Sequence, residues 1–217
     1  MKKNILESPV LRFFAEVADL MLLNVFTILC SLPLFTMGAA FSALHTILLK
    51  KVRREDPTIV KPYFQAFREN FRQATLLWLP MLLVLAALVL DYILFKDRGG
   101  IVGPLMSTVT IIAAVVWQAM FLYVFPLQAR FENTNRQTYK NAWLLTLGVF
   151  PRTVAMVVIS LIPLILFYTV GDVILPFYLM LGISVPAFLC AKLYSPVFLK
   201  LEDPEPDEPK KVNDPES

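Results

Sequence analysis

Apolar runs long enough to cross a bilayer alternate in this chain with short segments that hold nearly all its lysine and arginine. That alternation limits the possible folds more than any other feature. A hydrocarbon core about 30 Å thick needs roughly 20 consecutive apolar residues in a helix. Residues 17–49 carry one charge, Asp19, residues 101–125 and 154–170 carry none, and residues 174–199 carry only Lys192. Residues 74–95 form a further span that opens near Trp78, at the depth where interfacial aromatics collect. The apolar fraction of 57% exceeds the roughly 45–50% of soluble domains, and the excess sits in these blocks.

As one helix, residues 17–49 would run about 50 Å at 1.5 Å per residue. Pro33 and Gly38 fall in the middle, so the stretch predicts a hairpin of two short helices. After it comes a basic segment with Lys50, Lys51, Arg53, Arg54, Lys61, Arg68 and Arg72. Within residues 60–73, Phe64, Phe67 and Phe71 recur at helical spacing beside Tyr63, the pattern of an interfacial helix. Residues 123–152 form the polar centre of the chain. Arg130, Glu132, Asn133, Arg136 and Lys140 crowd there, and Tyr139, Trp143, Leu147 and Phe150 give a second interfacial pattern. Pro163, Pro176, Pro186 and Pro196 predict kinks in the last spans, and residues 201–217, rich in Pro and acidic residues, read as a disordered tail.

The two large basic segments belong in the cytoplasm by the positive-inside rule. With residues 17–49 as a hairpin, Lys2, Lys3 and Arg12 fall on the same side, whereas a single pass would place them outside. The rule therefore favours about six membrane helices, with both termini cytoplasmic. An internal echo fits two similar units: Tyr63 to Phe67 and Tyr139 to Trp143 both read Tyr-x-x-Ala-aromatic. Chance similarity between two amphipathic stretches would give the same match.

Several chemistries find no residues to carry them. The net charge of +3 flanks apolar runs instead of gathering on a polar face, so no nucleic acid partner is expected. Cys30 and Cys190 lie inside apolar runs, and His45 is the sole histidine, which leaves neither a disulfide framework nor a zinc ligand set. There is no phosphate-cradling glycine loop and no nucleophile–base set, so no cofactor and no enzyme activity are expected. The start of the chain lacks the pattern of a cleaved signal peptide.

Polar residues within the runs are the candidate sites. Asp19 either pairs with an arginine of a cytoplasmic loop or sits in the interface. Asn24, Thr27 and Ser31 share one helical face and suit hydrogen bonds to a neighbouring helix, or a polar pathway. Gln118 is expected to bond between helices, and Lys192 to snorkel toward the cytoplasmic surface. Arg130 and Glu132 suit either docking of a partner, or lipid phosphate for Arg130 with Glu132 and Asn133 capping the next helix.

Three groups of residues carry a resemblance to a known family. They are Ala18-Asp19-Leu20 with Leu23-Asn24, Ser31-Leu32-Pro33 and Thr36 to Ala40; Phe64, Phe67, Asn70-Phe71 and Gln73-Ala74; and Tyr123 to Leu127, Ala129 to Asn133 and Lys140-Asn141-Ala142. Together, over about residues 10–200, they resemble the YesL-like family of bacterial membrane proteins, a domain of unknown function. The resemblance implies a multi-pass membrane protein of Gram-positive bacteria, often encoded near sugar-uptake and polysaccharide-degradation genes, with no known catalytic residue.

The expected fold is therefore an all-α polytopic bundle over residues 1–200: the 17–49 hairpin, interfacial helices, and spans at 74–95, 101–125, 154–170 and 174–199. The expected function is that of a non-catalytic accessory protein, its partner residues drawn from Tyr63, Phe67, Asn70, Arg130, Glu132, Asn133 and Lys140. Permease subunits of a sugar importer, or a second copy, are the expected partners. The alternative is a small transporter or channel lined by Asn24, Ser31, Gln118 and Lys192.

Overall fold

The computed structural model describes residues 9–55 and 58–202. Among these every regular element is helical: α1 Pro9–Ser31, α2 Met37–Val52, α3 Val60–Phe95, α4 Val102–Arg130, α5 Asn135–Gly148, α6 Phe150–Val170, α7 Leu175–Leu181 and α8 Ser184–Glu202. Short 3₁₀ turns at Leu34–Thr36 and Gly171–Ile174 join α1 to α2 and α6 to α7. Four segments are long and apolar enough to cross a membrane: Val10–Ser31, Val60–Phe95, Val102–Arg130 and Phe150–Leu181.

Pro33 ends α1, and Thr36 Oγ1 closes the turn by donating to the carbonyls of Cys30 and of Pro33 (2.7 Å). At the other end of the pair Lys51 forms an ion pair with Asp19. These two ties make α1 and α2 antiparallel. The hairpin, however, has unequal arms. α2 has 16 residues, about 24 Å at 1.5 Å per residue, and most of its length is buried.

Small residues explain that burial. Gly38, Ala39, Ala40 and Ala43 are buried on α2, and small side chains let membrane helices approach closely. At Gly38 an added Cβ would come within 2.5 Å of the Ala74 carbonyl oxygen and 2.6 Å of Trp78 Cβ. The Trp78 indole N–H donates to the Leu34 carbonyl at 2.7 Å, which fixes the hairpin turn against α3. Residues 121–128 of α4 are buried without interruption, the signature of a helix surrounded on all sides. Phe121 and Phe125 pack on Phe41 and Trp78.

Three boundaries differ from those read off the sequence. The interfacial segment 60–73 and the span 74–95 form one 36-residue helix, α3. No glycine interrupts that stretch, and Tyr63 and Ala66 are buried in the core instead of facing outward. In the second unit Gly148 and Pro151 do break the chain, so α5 and α6 are separate. The last run, 174–199, divides into α7 and α8 around Gly182, and α8 continues through Leu201 and Glu202. The rest of the tail read as disordered lies outside the described residues.

α6 does not continue straight into α7. Phe167 and Tyr178 have ring centroids 6.2 Å apart, whereas eleven residues of straight helix would advance about 16 Å. The reversal occurs at Gly171, whose φ of +72° suits a residue without a Cβ. Away from the hairpin, the outer parts of α3, α4 and α6 present a broad apolar surface that includes Leu83, Leu90, Ile101, Ile112 and Leu164.

Gly38→Val should lower the thermal midpoint of the detergent-solubilised protein, by overpacking on the order of 1–3 kcal/mol, because its clash is with backbone and a Cβ that have nowhere to move. An unchanged midpoint would contradict the close packing of α2 on α3.

Candidate functional site at the basic end of the bundle

The C-terminal ends of α2, α4 and α8 converge. Glu202, at the end of α8, accepts from Arg53 Nη1 (2.9 Å) and Nη2 (2.7 Å), and from Arg130 Nε (2.7 Å) and Nη2 (2.9 Å). Paired forks of this kind are the strong, geometrically specific form of a carboxylate contact. Hydrogen bonds from Arg130 and then Arg53 hold the Glu202 carboxyl down at about 2, from an ordinary 4.5. Arg130 is thus engaged within the chain, although it remains partly exposed.

Just inside this clasp lies a chain of buried and half-buried amides and hydroxyls. Ser42 donates to Gln128 Oε1, and Gln128 Nε2 donates to Asn70 Oδ1 at 2.9 Å. His45 Nδ1 and the Tyr194 hydroxyl are hydrogen-bonded at 2.9 Å, joining α2 to α8. Gln73 donates to the Asn133 carbonyl. Tyr139 donates to the Leu77 carbonyl, and Tyr63 reaches the Thr27 hydroxyl (3.3 Å) and the Ala40 carbonyl (3.4 Å). The two echoed tyrosines therefore do the same work, each tying its helix to a backbone carbonyl of another.

The other expected residues separate into engaged and free groups. Asp19 pairs with Lys51 instead of an arginine. Asn24 is fully buried and bridges the break between α7 and α8. Its Nδ2 donates to the carbonyls of Leu179 (2.7 Å) and Tyr178 (3.3 Å), and its Oδ1 accepts from the N–H of Ile183 and Ser184, both at 2.8 Å. Thr27 bonds back to Leu23 in its own helix. Ser31 Oγ has no hydrogen-bond partner among the described residues, so the polar face of α1 is only partly used. Gln118 donates to Ser160 at 3.1 Å. Phe67 packs edge-on against Phe71. Thr134, not Glu132 or Asn133, caps α5 through Gln137 N–H, which leaves Glu132 exposed along with Lys140. Lys192 is also exposed, its ammonium over the Phe188 ring.

Sequence reading missed Glu202, Arg53 and Gln128 as members of this cluster, and Asp91, which accepts from Thr110 across α3 and α4. Asp91 was legible as a lone carboxylate in an apolar run. Glu202 was not, because its arginines are remote in sequence. Among the described residues no group of three or more His, Cys, Asp or Glu could hold a metal ion.

Asn24→Ala should destabilise the fold by about 1–3 kcal/mol, since the first N–H groups of α8 lose their acceptor; thermal unfolding in detergent measures it. Because the Glu202 pKa is lowered by folding, its contribution is present above about 4.5 and is lost as pH falls toward 2. The stability difference between the native protein and Glu202→Gln should therefore shrink over that window. A pH-independent difference would show that the carboxylate charge is not what holds the clasp.

A family model described as "Protein of unknown function, DUF624" matches residues 20–92, from α1 through most of α3. No curated protein and no solved structure matches the chain.

Proposed function

We propose that this chain is a non-catalytic accessory protein of the bacterial plasma membrane that binds another membrane protein through its cytoplasmic segments and serves carbohydrate uptake. In this reading about six helices lie in the membrane, the first part of α3 and α5 border its inner surface, and both termini are cytoplasmic. The carbohydrate assignment rests on the resemblance to the YesL-like family.

One observation favours an accessory role above all. The polar side chains of the packed half bond mainly to one another or to backbone, while the outward charges gather on the connecting segments. Lys61, Arg68 and Arg72 are exposed on α3, and Glu132, Arg136 and Lys140 on the loop and α5. Arg130 then acts as part of the clasp that sets this surface, and Glu132 and Lys140 are the residues free to meet a partner.

A transporter reading is favoured by one feature. Gln118 and Ser160 border a cavity of about 160 Å³ together with Phe41, His45, Tyr178 and Cys190, a lining of mixed polarity inside the bundle.

A photoreactive residue at position 140 separates the two. Permease subunits of a sugar importer should crosslink to it in native membranes, and Glu132→Lys should abolish the crosslink without lowering the thermal midpoint. Crosslinks confined to a second copy, together with solute flux in liposomes holding the purified protein, would establish the transporter instead.

A further inference from the structure

Lys192 lies on the outward face of α8, and the packing of the bundle does not employ it. The end of α8 is anchored among charges by Glu202, Arg53 and Arg130. In the proposed reading α8 lies in the membrane, and ten residues separate Lys192 from Glu202, about 15 Å of helix, or half the thickness of a hydrocarbon core of about 30 Å. A lysine near a helix end escapes this position by snorkelling. Here the ammonium points the other way, over the Phe188 ring at 4.4 Å from its centroid, one turn farther from the charged end. Helical side chains lean toward the N-terminus, so the backbone itself directs the amine inward. An aromatic face offsets only part of the cost of a charge at that depth. Among the described residues no carboxylate pairs with it.

Its neighbours form a seam. Leu189, Lys192, Pro196 and Leu199 are all exposed at spacings of three, four and three, the pattern by which one helix packs along another. Leu189 also borders an apolar groove of about 270 Å³ between α6 and the α7–α8 arm, with Ile162, Leu166 and Phe177. A second copy of this chain is a poor occupant. Asp19 is paired with Lys51, and Asp91, five residues before the Lys96 turn, lies toward the end of the bundle opposite the Glu202 clasp, away from the depth of Lys192.

We propose that the outward face of α8 is the docking seam for a transmembrane helix of another protein, with an aspartate or glutamate at mid-membrane depth opposite Lys192. This deepens the accessory reading by adding an intramembrane contact to the cytoplasmic one. It fails separately from that reading, because the crosslink at position 140 does not depend on Lys192.

The test uses the full chain in native membranes and a hydrophobic carbodiimide, which joins an amine to an adjacent carboxylate as an amide without a spacer. Mass spectrometry should find Lys192 joined to an acidic residue inside an apolar run of a different protein. Lys192→Glu should lower recovery of that protein in mild detergent by about tenfold or more, while Lys192→Arg preserves it. Should Lys192→Glu fail to accumulate, Lys192→Met reads the same loss without placing a carboxylate in the membrane. The proposal is overturned by an amide to this chain's own carboxylates, including those of residues 203–217. It is equally overturned if no protein adduct forms at Lys192 and both uncharged and reversed variants recover the same partners as the native protein, the result expected if the amine only meets lipid phosphate.

Discussion

The contact between α2 and α3 at Gly38 positions most of the bundle. With no side chain there, the two backbones close to a separation that leaves no room for a Cβ, and Trp78 locks the hairpin turn by its bond to Leu34. Once α2 is drawn in, it brings Ser42, His45 and Phe41 to the centre of the bundle. Phe121 and Phe125 of α4 then fill the space beside Trp78, and Tyr194 of α8 finds His45. A lipid-facing helix needs only an apolar surface, whereas α2 needs a partner on almost every side. Its small residues make that possible, since lipid supplies no hydrophobic force to drive helices together.

With α2 buried, its polar groups must find partners inside the protein. These solutions link helices distant in sequence, Ser42 to Gln128 to Asn70 and His45 to Tyr194, and on α1 Asn24 does the same with the α7–α8 break. Asn24 shows the logic most clearly. A break inside a membrane protein frees carbonyls on one side and N–H groups on the other, and both must be satisfied without water. One carboxamide, with two donors and an acceptor oxygen of two lone pairs, serves both sides at once. The bend between α7 and α8 is therefore held by α1, and the first and last parts of the chain are bound together.

The sequence told most where one residue type has one physical use. Pro33 and Gly38 marked the α1–α2 hairpin, long apolar runs marked the helices, and Asn24 was recognisable as a bonding residue on a helical face. Its partner was not recognisable, because the break it bridges falls around Gly182, inside a run that read in sequence as one span, 174–199, kinked at its prolines. The continuity of α3 was hidden by an aromatic stripe that suits an interfacial helix and a packed helix equally. Tyr63 belongs to the core because α1 and α2 cover it, and helical periodicity carries no information about what lies opposite. Arg130 looked free for the same reason: the carboxylate that holds it is 72 residues away, inside the stretch whose composition suggested disorder.

The two halves of the molecule thus differ in how they meet their surroundings. Toward the basic end, α1, α2, α5 and α8 wrap the lower parts of α3 and α4, and the buried amides and most of the buried hydroxyls are bonded, with Ser31, Thr75 and Ser184 as exceptions among the described residues. Toward the Lys96–Arg98 turn, α3, α4 and α6 are left with wide apolar exposure. A protein whose polar core is consumed in holding itself together has few internal groups with which to bind a passing solute. Among the described residues, the charges without a partner lie outward, chiefly on the connecting segments and at Lys192. That arrangement is the ground on which we propose recognition of another protein, and not conduction through the bundle.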